Sequence, residues 1–269
     1  MNCNICNHTS DLFLTSTIFK EKTKISYYKC SNCGFIQTEE PYWLEKAYSD
    51  VIAKTDIGLI FRNIVFSNII ESVLDQYFND LKKALDYGGG LGMFTRIMRD
   101  KGYNFLWYDD YCENIFVQTF EGKLDTKYDM ITAFEVFEHL PKTNETLEML
   151  LKITDTLIFS TELSDNVTDF ENWWYRAEAS GQHISFHTSK SLKYLADKHK
   201  LNYLTLNNKS IHIFTKKNIN ATEFNLLFNY SNSLMDRIKR RLIKRTKPTK
   251  SSLLQKDFEK IINTVLNPE

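Results

Sequence analysis

The sequence predicts an open α/β sheet, doubly wound, with its last two strands antiparallel. A small cysteine-bearing module precedes it and a helical extension follows it. Three features of the chain predict this. Between residues 81 and 217, apolar runs of strand length alternate with segments of helical spacing, the pattern of helices that cross over a mostly parallel sheet. The first strand-to-helix passage contains a glycine cluster, LDYGGGLGMFTRI, at residues 85–97. Two Cys-x-x-Cys pairs, Cys3/Cys6 and Cys30/Cys33, bracket short alternating runs such as KISYYKC that read as hairpins.

Taken in order, residues 1–40 form the cysteine module. Four thiolates in two tight pairs, 23 residues apart, can surround one tetrahedral zinc, and Gly34 permits the turn that aims backbone amides at sulfur. Such a closed site leaves no coordination position for chemistry, so its role is to fold the module. Cys112 stands alone and reads as an ordinary small residue. Residues 41–80 have helical spacing and form a lead-in or lid; within it Arg62, beside Asp56 and Asn63, either meets a cofactor carboxylate or makes a surface ion pair. Residues 81–217 form a Rossmann-like domain: KKALDY, NFLWYDD and KYDMITAF supply strands, then LKITDTLIFSTEL and SKSLKYLADKHK lead to the closing strands NYLTLNN and SIHIFTKK. Residues 218–269 are a basic helical extension, with the run RIKRRLIKRTKPTK from Arg237 to Lys250.

Composition narrows the function classes. The chain of 269 residues has 34 basic and 34 acidic side chains, so its total charge steers it neither to nucleic acid nor to anionic membranes. No run of about 18 apolar residues and no basic-then-apolar leader occurs, which predicts a soluble, cytoplasmic protein without a transmembrane segment. Paired cysteines suit thiolates in a reducing compartment. Oligomeric state is left open.

The glycine cluster Asp86-Tyr87-Gly88-Gly89-Gly90-Leu91-Gly92 has the form acidic-x-Gly-x-Gly-x-Gly. Met93 stands where the dinucleotide fingerprint needs glycine, and the Lys-Ser/Thr of a phosphate loop is missing. A carboxylate at Asp86 would repel pyrophosphate but suits a ligand with a positive amino group. The glycines let adenosine and a sulfonium side chain approach the backbone. About twenty residues on, WYDD ends a strand with Asp109, placed to accept a ribose diol, with Asp110 beside it. A tight bend without ligand is the alternative reading of the turn.

LDYGGGLG, WYDD and YDMITAFEVFEHL together resemble the class I S-adenosylmethionine-dependent methyltransferase family, over roughly residues 80–216. The resemblance implies that Asp86, Tyr87, Gly88, Gly90 and Gly92 surround the methionine part of the cofactor, that Asp109 takes the ribose, and that Phe134 and Glu135 line the cofactor. The third strand lacks the family's acidic residue near adenine; NIFVQTFEG offers Phe120 and Glu121 instead.

AFEVFEHL sets Glu135, Glu138 and His139 at i, i+3 and i+4, one face of a helix that would start at the strand end. Downstream, GQHISFHTS places His183 and His187 before another helix. Glu135, Glu138, His139 and His183 match, position by position, the ligands of metal-dependent O-methyltransferases that act on the 3′ end of small RNAs, and in part those of ubiquinone biosynthesis. That implies an open Mg or Mn site; a solvated helix start is the plain alternative. Without a metal, His183 is the general base, supported by Glu138 and His139. Trp173, Trp174, Tyr175 and Arg176 are either an acceptor wall or a packed lid.

The four-cysteine module joined to this domain also resembles bacterial sugar methyltransferases acting on nucleotide-linked deoxysugars, which carry a longer C-terminal domain than this chain. EVFEHL and GQHISF resemble methyltransferases of surface-glycan gene sets. The expectation is O-methylation of a sugar or glycan hydroxyl on a small-molecule or glycan acceptor. The alternatives are a sugar C-methyltransferase, an RNA or other nucleic-acid methyltransferase or binder using the basic run, and a non-catalytic scaffold.

Overall fold

The computed structural model describes residues 1–19, 23–48, 56–206, 210–228 and 250–266. The N-terminal alternation forms β1 (Ser10–Ile18), β2 (Thr23–Cys30) and β3 (Ile36–Thr38), and the next segment forms α1 (Leu44–Ala47) and α2 (Leu59–Tyr77). The alternating domain then runs through β4 (Ala84–Tyr87), α3 (Met93–Asp100), β5 (Phe105–Tyr108), β6 (Met130–Ala133), α4 (Thr143–Leu151) and β7 (Thr156–Ser160). It continues with β8 (Ser185–Phe186), α5 (Ser189–Lys198), β9 (Asn202–Thr205) and β10 (Ile211–Thr215). The helices α6 (Ala221–Phe228) and α7 (Leu254–Leu266) follow. Except for Lys250, the basic run 237–250 lies outside the described residues.

Strand order in the larger sheet is β5-β4-β6-β7-β10-β9. β4 is parallel to β5 and β6, while β10 is antiparallel to β7 and β9, as the short turn between the last two strands predicts. Burial explains the sequence pattern. β6, β7 and β10 are buried at every position and read as continuous apolar runs, whereas the edge strand β5 alternates buried and half-buried residues. The third strand expected in NIFVQTFEG does not form: a lone bridge joins Trp107 and Glu121. The segment closes on itself, since Asn114 accepts the Val117 N–H at 3.0 Å and donates to Glu121 Oε1 at 2.6 Å.

The chain divides into two compact units. The first joins Met1–Thr55 to Ala133–Asn229, and in it β1, β2, β3 and β8 make a four-stranded antiparallel sheet. The last strand of that sheet therefore comes from the segment between His183 and His187, and its core includes Tyr27, Ile36, Trp43, Phe170, Tyr175 and Phe186. The second unit joins Asp56–Thr132 to Tyr230–Glu269. There α2 is tied to the turn that follows α3 by Lys101 on Glu71 at 2.8 Å and by the Tyr103 hydroxyl on Asp75. No helix among the described residues is long and apolar enough to cross a membrane.

Candidate active site

In the second unit β4 ends in Asp86 and Tyr87, and the glycine turn passes into α3 at Met93. A side chain at Gly89 would place Cβ 2.6 Å from Trp107 Cδ1 and 2.9 Å from Asp86 Oδ2, so the turn is walled there. Gly90 differs: it has φ +55°, and an added Cβ would meet nothing within 4 Å. Its Cα faces open space, a cradle that a side chain would fill. β5 grips this residue from both sides. The Gly90 N–H donates to Asp109 Oδ2 at 2.9 Å, and its carbonyl accepts the Trp107 indole N–H at 2.8 Å.

Asp109 also accepts the N–H groups of Tyr111 and Cys112, both at 2.8 Å on Oδ1. Asp86 is only 2% exposed and accepts the hydroxyls of Thr132 and Thr95, each at 2.9 Å. Burial pushes its carboxyl up to about 7, against those two hydrogen bonds and with help from the Asp109 charge. Tyr87 stacks on Tyr108 at 5.7 Å. Phe120 lies in the core, with the Arg99 guanidinium 3.9 Å and Lys260 Nζ 4.5 Å from its ring centre. Arg62 pairs with Asp56 at 2.6 Å, and Asn63 donates to the Leu59 carbonyl.

In the first unit, the helix expected at AFEVFEHL does not start at the strand end. Glu135 takes φ +54° and Phe137–His139 is a single 3-10 turn, so the common face of Glu135, Glu138 and His139 is not formed. Glu135 turns toward β7: its N–H donates to Ser160 Oγ, and that hydroxyl donates back to its carboxylate, both at 2.7 Å. Phe134, preceding it, is half-buried. Glu138 and His139 instead meet His183, with one ligand atom from each lying within 4.8 Å of the others. Backbone pairing sets this meeting. Ile184 N–H donates to the Glu138 carbonyl at 2.9 Å, Ser185 Oγ to the Leu140 carbonyl at 2.7 Å, and Ser185 and Phe186 pair with β3.

Both imidazoles are oriented the same way. His139 Nδ1 lies 3.1 Å from the Gln182 carbonyl and His183 Nδ1 lies 2.5 Å from that of Tyr175. A carbonyl only accepts, so each Nδ1 carries a hydrogen, which in a neutral ring leaves the lone pair on Nε2. Burial lowers His139 to about 4, against the Gln182 carbonyl, and keeps it neutral. Around the trio, the Tyr175 hydroxyl lies 3.2 Å from Thr161 Oγ1; burial and the carboxylates of Glu138 and Glu135 hold its phenol well above the ordinary value. Burial and Glu135 likewise raise Glu162. Sequence reasoning missed Trp107, Ser160, Thr161 and Glu162. Their signal was position: Trp107 opens WYDD on β5, and Ser160, Thr161 and Glu162 stand at and just past the end of β7.

A family profile described as a methyltransferase domain matches residues 61–206, more than half of the chain. The chain belongs to the methyltransferase domain family. It is a class I S-adenosylmethionine-dependent methyltransferase. No curated relative matches it. Among solved structures, it is similar to the plantazolicin methyltransferase BpumL in complex with SAH (12% identity, TM-score 0.47, covering 82% of this chain and 90% of that one). It is also similar to magnesium protoporphyrin IX methyltransferase from Synechocystis PCC 6803 with bound SAM (13% identity, TM-score 0.39, covering 65% and 90%). A third is an O-methyltransferase family protein from Burkholderia thailandensis (11% identity, TM-score 0.46, covering 66% and 64%).

The methyltransferase distributes its aromatic segment unequally. Trp174 is 74% exposed, while Tyr175 is buried and Trp173 packs on the core of the four-stranded sheet. Arg176, 1% exposed, donates to the Glu171 carbonyl at 2.5 Å and to Ser16 Oγ at 3.0 Å, and lies over the Tyr27 ring. Arg176 is thus a strut inside the unit, and only Trp174 of the four predicted wall residues faces solvent. His187 is fully buried against Phe35, and burial lowers it to about 3.

The cysteines of the methyltransferase do converge. Sulfur atoms of Cys3, Cys6, Cys30 and Cys33 all lie within 4.8 Å of one another, with Cys3–Cys33 at 3.6 Å and Cys6–Cys30 at 3.4 Å. Four sulfurs about 2.3 Å from one zinc would stand roughly 3.8 Å apart, so the donor set fits that ion. Ile5 N–H points at Cys3 Sγ and Cys33 N–H at Cys30 Sγ, both at 3.4 Å. The hydrogen bond with Cys33 holds Cys3 down at about 5, against burial. Thr188, the cap of α5, donates to the Cys33 carbonyl at 2.6 Å and so fastens the cysteine turn to the chain after His183.

Proposed function

We propose that this methyltransferase transfers the methyl group of S-adenosylmethionine to a hydroxyl of a sugar or glycan acceptor, activated at Glu138, His139 and His183. The observation that carries this reading is the convergence of those three side chains, with each imidazole held at Nδ1 by a backbone carbonyl. A bound cofactor supplies an electrophilic methyl group on a sulfonium, so the protein's task is alignment and removal of one proton. Asp86, Tyr87, Gly88, Gly90, Gly92 and Asp109 hold the cofactor, with the open face of Gly90 admitting it. Asp109 spends three acceptor positions on backbone N–H groups. A carboxylate has about four, which leaves one for a ribose hydroxyl.

His183 Nε2 takes the acceptor proton. In the metal-bound variant of the reading, Glu138, His139 and His183 would hold Mg or Mn, whose chemistry is to acidify a bound hydroxyl. The three-residue set replaces the four-residue one, because Glu135 is engaged by Ser160. Trp174 offers a stacking face to a sugar ring. Cys3, Cys6, Cys30 and Cys33 hold a structural zinc.

Methyl transfer to a panel of sugar acceptors, with calorimetric S-adenosylhomocysteine binding, tests the proposal. His183→Ala should cut turnover by roughly 10²–10⁴-fold while cofactor affinity stays within about twofold. Titration with Mn²⁺ separates the variants: binding that His183→Ala abolishes favours the metal, and activity that survives a chelator favours the base. Full activity in His183→Ala overturns both.

A further inference from the structure

We infer that Trp107 and helix α7 are positioning elements for the glycine turn, and that the C-terminal helix thereby sets cofactor affinity through the Gly90 peptide. The inference rests on the S-adenosylmethionine reading of that turn. Every contact it uses lies within the second unit.

The indole of Trp107 is nearly buried and meets the turn twice. Its N–H holds the Gly90 carbonyl at 2.8 Å, and its Cδ1 occupies the space that a side chain at Gly89 would need. A turn with glycine at 88, 89, 90 and 92 has many accessible backbone states, and binding requires one of them. Fixing the Gly90 carbonyl from β5, opposite the Asp109 bond to its N–H, removes that freedom before the ligand arrives.

What keeps the indole in place comes from the other end of the chain. Trp107 packs with Val117 and Phe120, and Ile261 of α7 rests on this cluster. Lys260 donates to the Thr119 carbonyl at 2.9 Å and lies over Phe120. Asp257, buried, takes Arg99 through two bonds of 2.7 and 2.6 Å and Arg96 at 2.9 Å, and Leu253 N–H donates to the Arg99 carbonyl at 3.0 Å. Arg96 and Arg99 belong to α3, the helix that begins where the glycine turn ends. Helix α7 therefore grips both the cluster around the ring that holds the turn and the helix that leaves it.

The full-length protein titrated with S-adenosylhomocysteine decides the matter. Trp107→Phe keeps the aromatic packing and deletes the N–H; the dissociation constant should rise about five- to tenfold. Ile261→Ala, made in the contact between α7 and the cluster of Trp107, Val117 and Phe120, should raise it about threefold, and Ile261→Leu should restore it. Amide exchange at Gly90 should speed up in Trp107→Phe and Ile261→Ala more than exchange at the buried amides of β4 and β6, whereas loss of global stability alone would speed the most protected amides as well. Folded variants that bind within twofold of wild type overturn the inference. If Trp107→Phe does not fold, the Ile261 pair carries the same test. A wild-type protein that fails to bind overturns the cofactor reading itself, and the inference with it.

Discussion

At the scale of single residues, the glycine turn shows how neighbouring positions of identical chemistry divide their tasks. Gly89 is required by close packing, because a methyl group there would lie 2.6 Å from the Trp107 ring. Gly90 is favoured by its positive backbone angle alone, since an added Cβ there would face open space. Gly89→Ala should therefore destabilise the fold by about 1–3 kcal/mol through overpacking. Gly90→Ala should cost about 1–2 kcal/mol of backbone strain yet weaken S-adenosylhomocysteine binding more than tenfold. Thermal melts and calorimetry on the two variants check this contrast; a Gly90→Ala protein that binds like wild type removes the turn from the cofactor site. The patterns LDYGGGLG and WYDD were both legible in the sequence, but that Gly89 answers to packing follows only from the approach of the Trp107 ring.

At the scale of elements, the four-cysteine module is more than an appendage. β3 pairs with β8, two residues past His183, and Thr188 ties α5 to the Cys33 carbonyl. The module thus braces the segment that carries the proposed base. Cys33→Ser or strong chelation should remove one zinc per chain and lower methyl transfer well before S-adenosylhomocysteine affinity falls, because the glycine turn and Asp109, proposed to hold the cofactor, belong to the other unit. Zinc analysis by emission spectroscopy beside activity and calorimetry checks it; zinc-free protein with full turnover would reduce the module to an ornament. The EVFEHL motif shows the reverse case. Its helical spacing is plain in the sequence, but the backbone reversal at Glu135, φ +54°, sends that carboxylate to Ser160 and leaves Glu138 and His139 for His183.

At the scale of the whole molecule, buried titratable groups set the response to acid. Burial lowers His187 to about 3, helped by the charge of His212, and lowers His212 to about 4, both from 6.5. The unfolded chain then binds more protons than the folded one, so their stability is present above pH 6.5 and lost as pH falls toward 4. Asp86 has the opposite sign: raised from 3.8 to about 7, it stabilises below pH 3.8 and loses that contribution as pH rises through 7. Between about pH 4 and 6.5 these two imidazoles and His139, which burial also lowers to about 4, oppose the raised carboxyls of Asp86 and Glu162, so urea midpoints should decline on acidification, and Asp86→Asn should steepen the decline. A flat profile for both proteins would show that these groups are not buried as described.

The sequence by itself determined what depends on neighbours along the chain. Strand and helix periods, the acidic-glycine turn, the paired cysteines and the antiparallel end of the sheet are all local patterns, and each reflects burial or ligand geometry acting over a few residues. Only the tertiary structure decided what joins distant positions. It brought His183 to Glu138 and His139 by backbone pairing, turned Arg176 inward as a strut, and set Asp257 on Arg99 across 158 residues of chain. Such contacts carry no period, because two side chains meet there through the folding of everything between them.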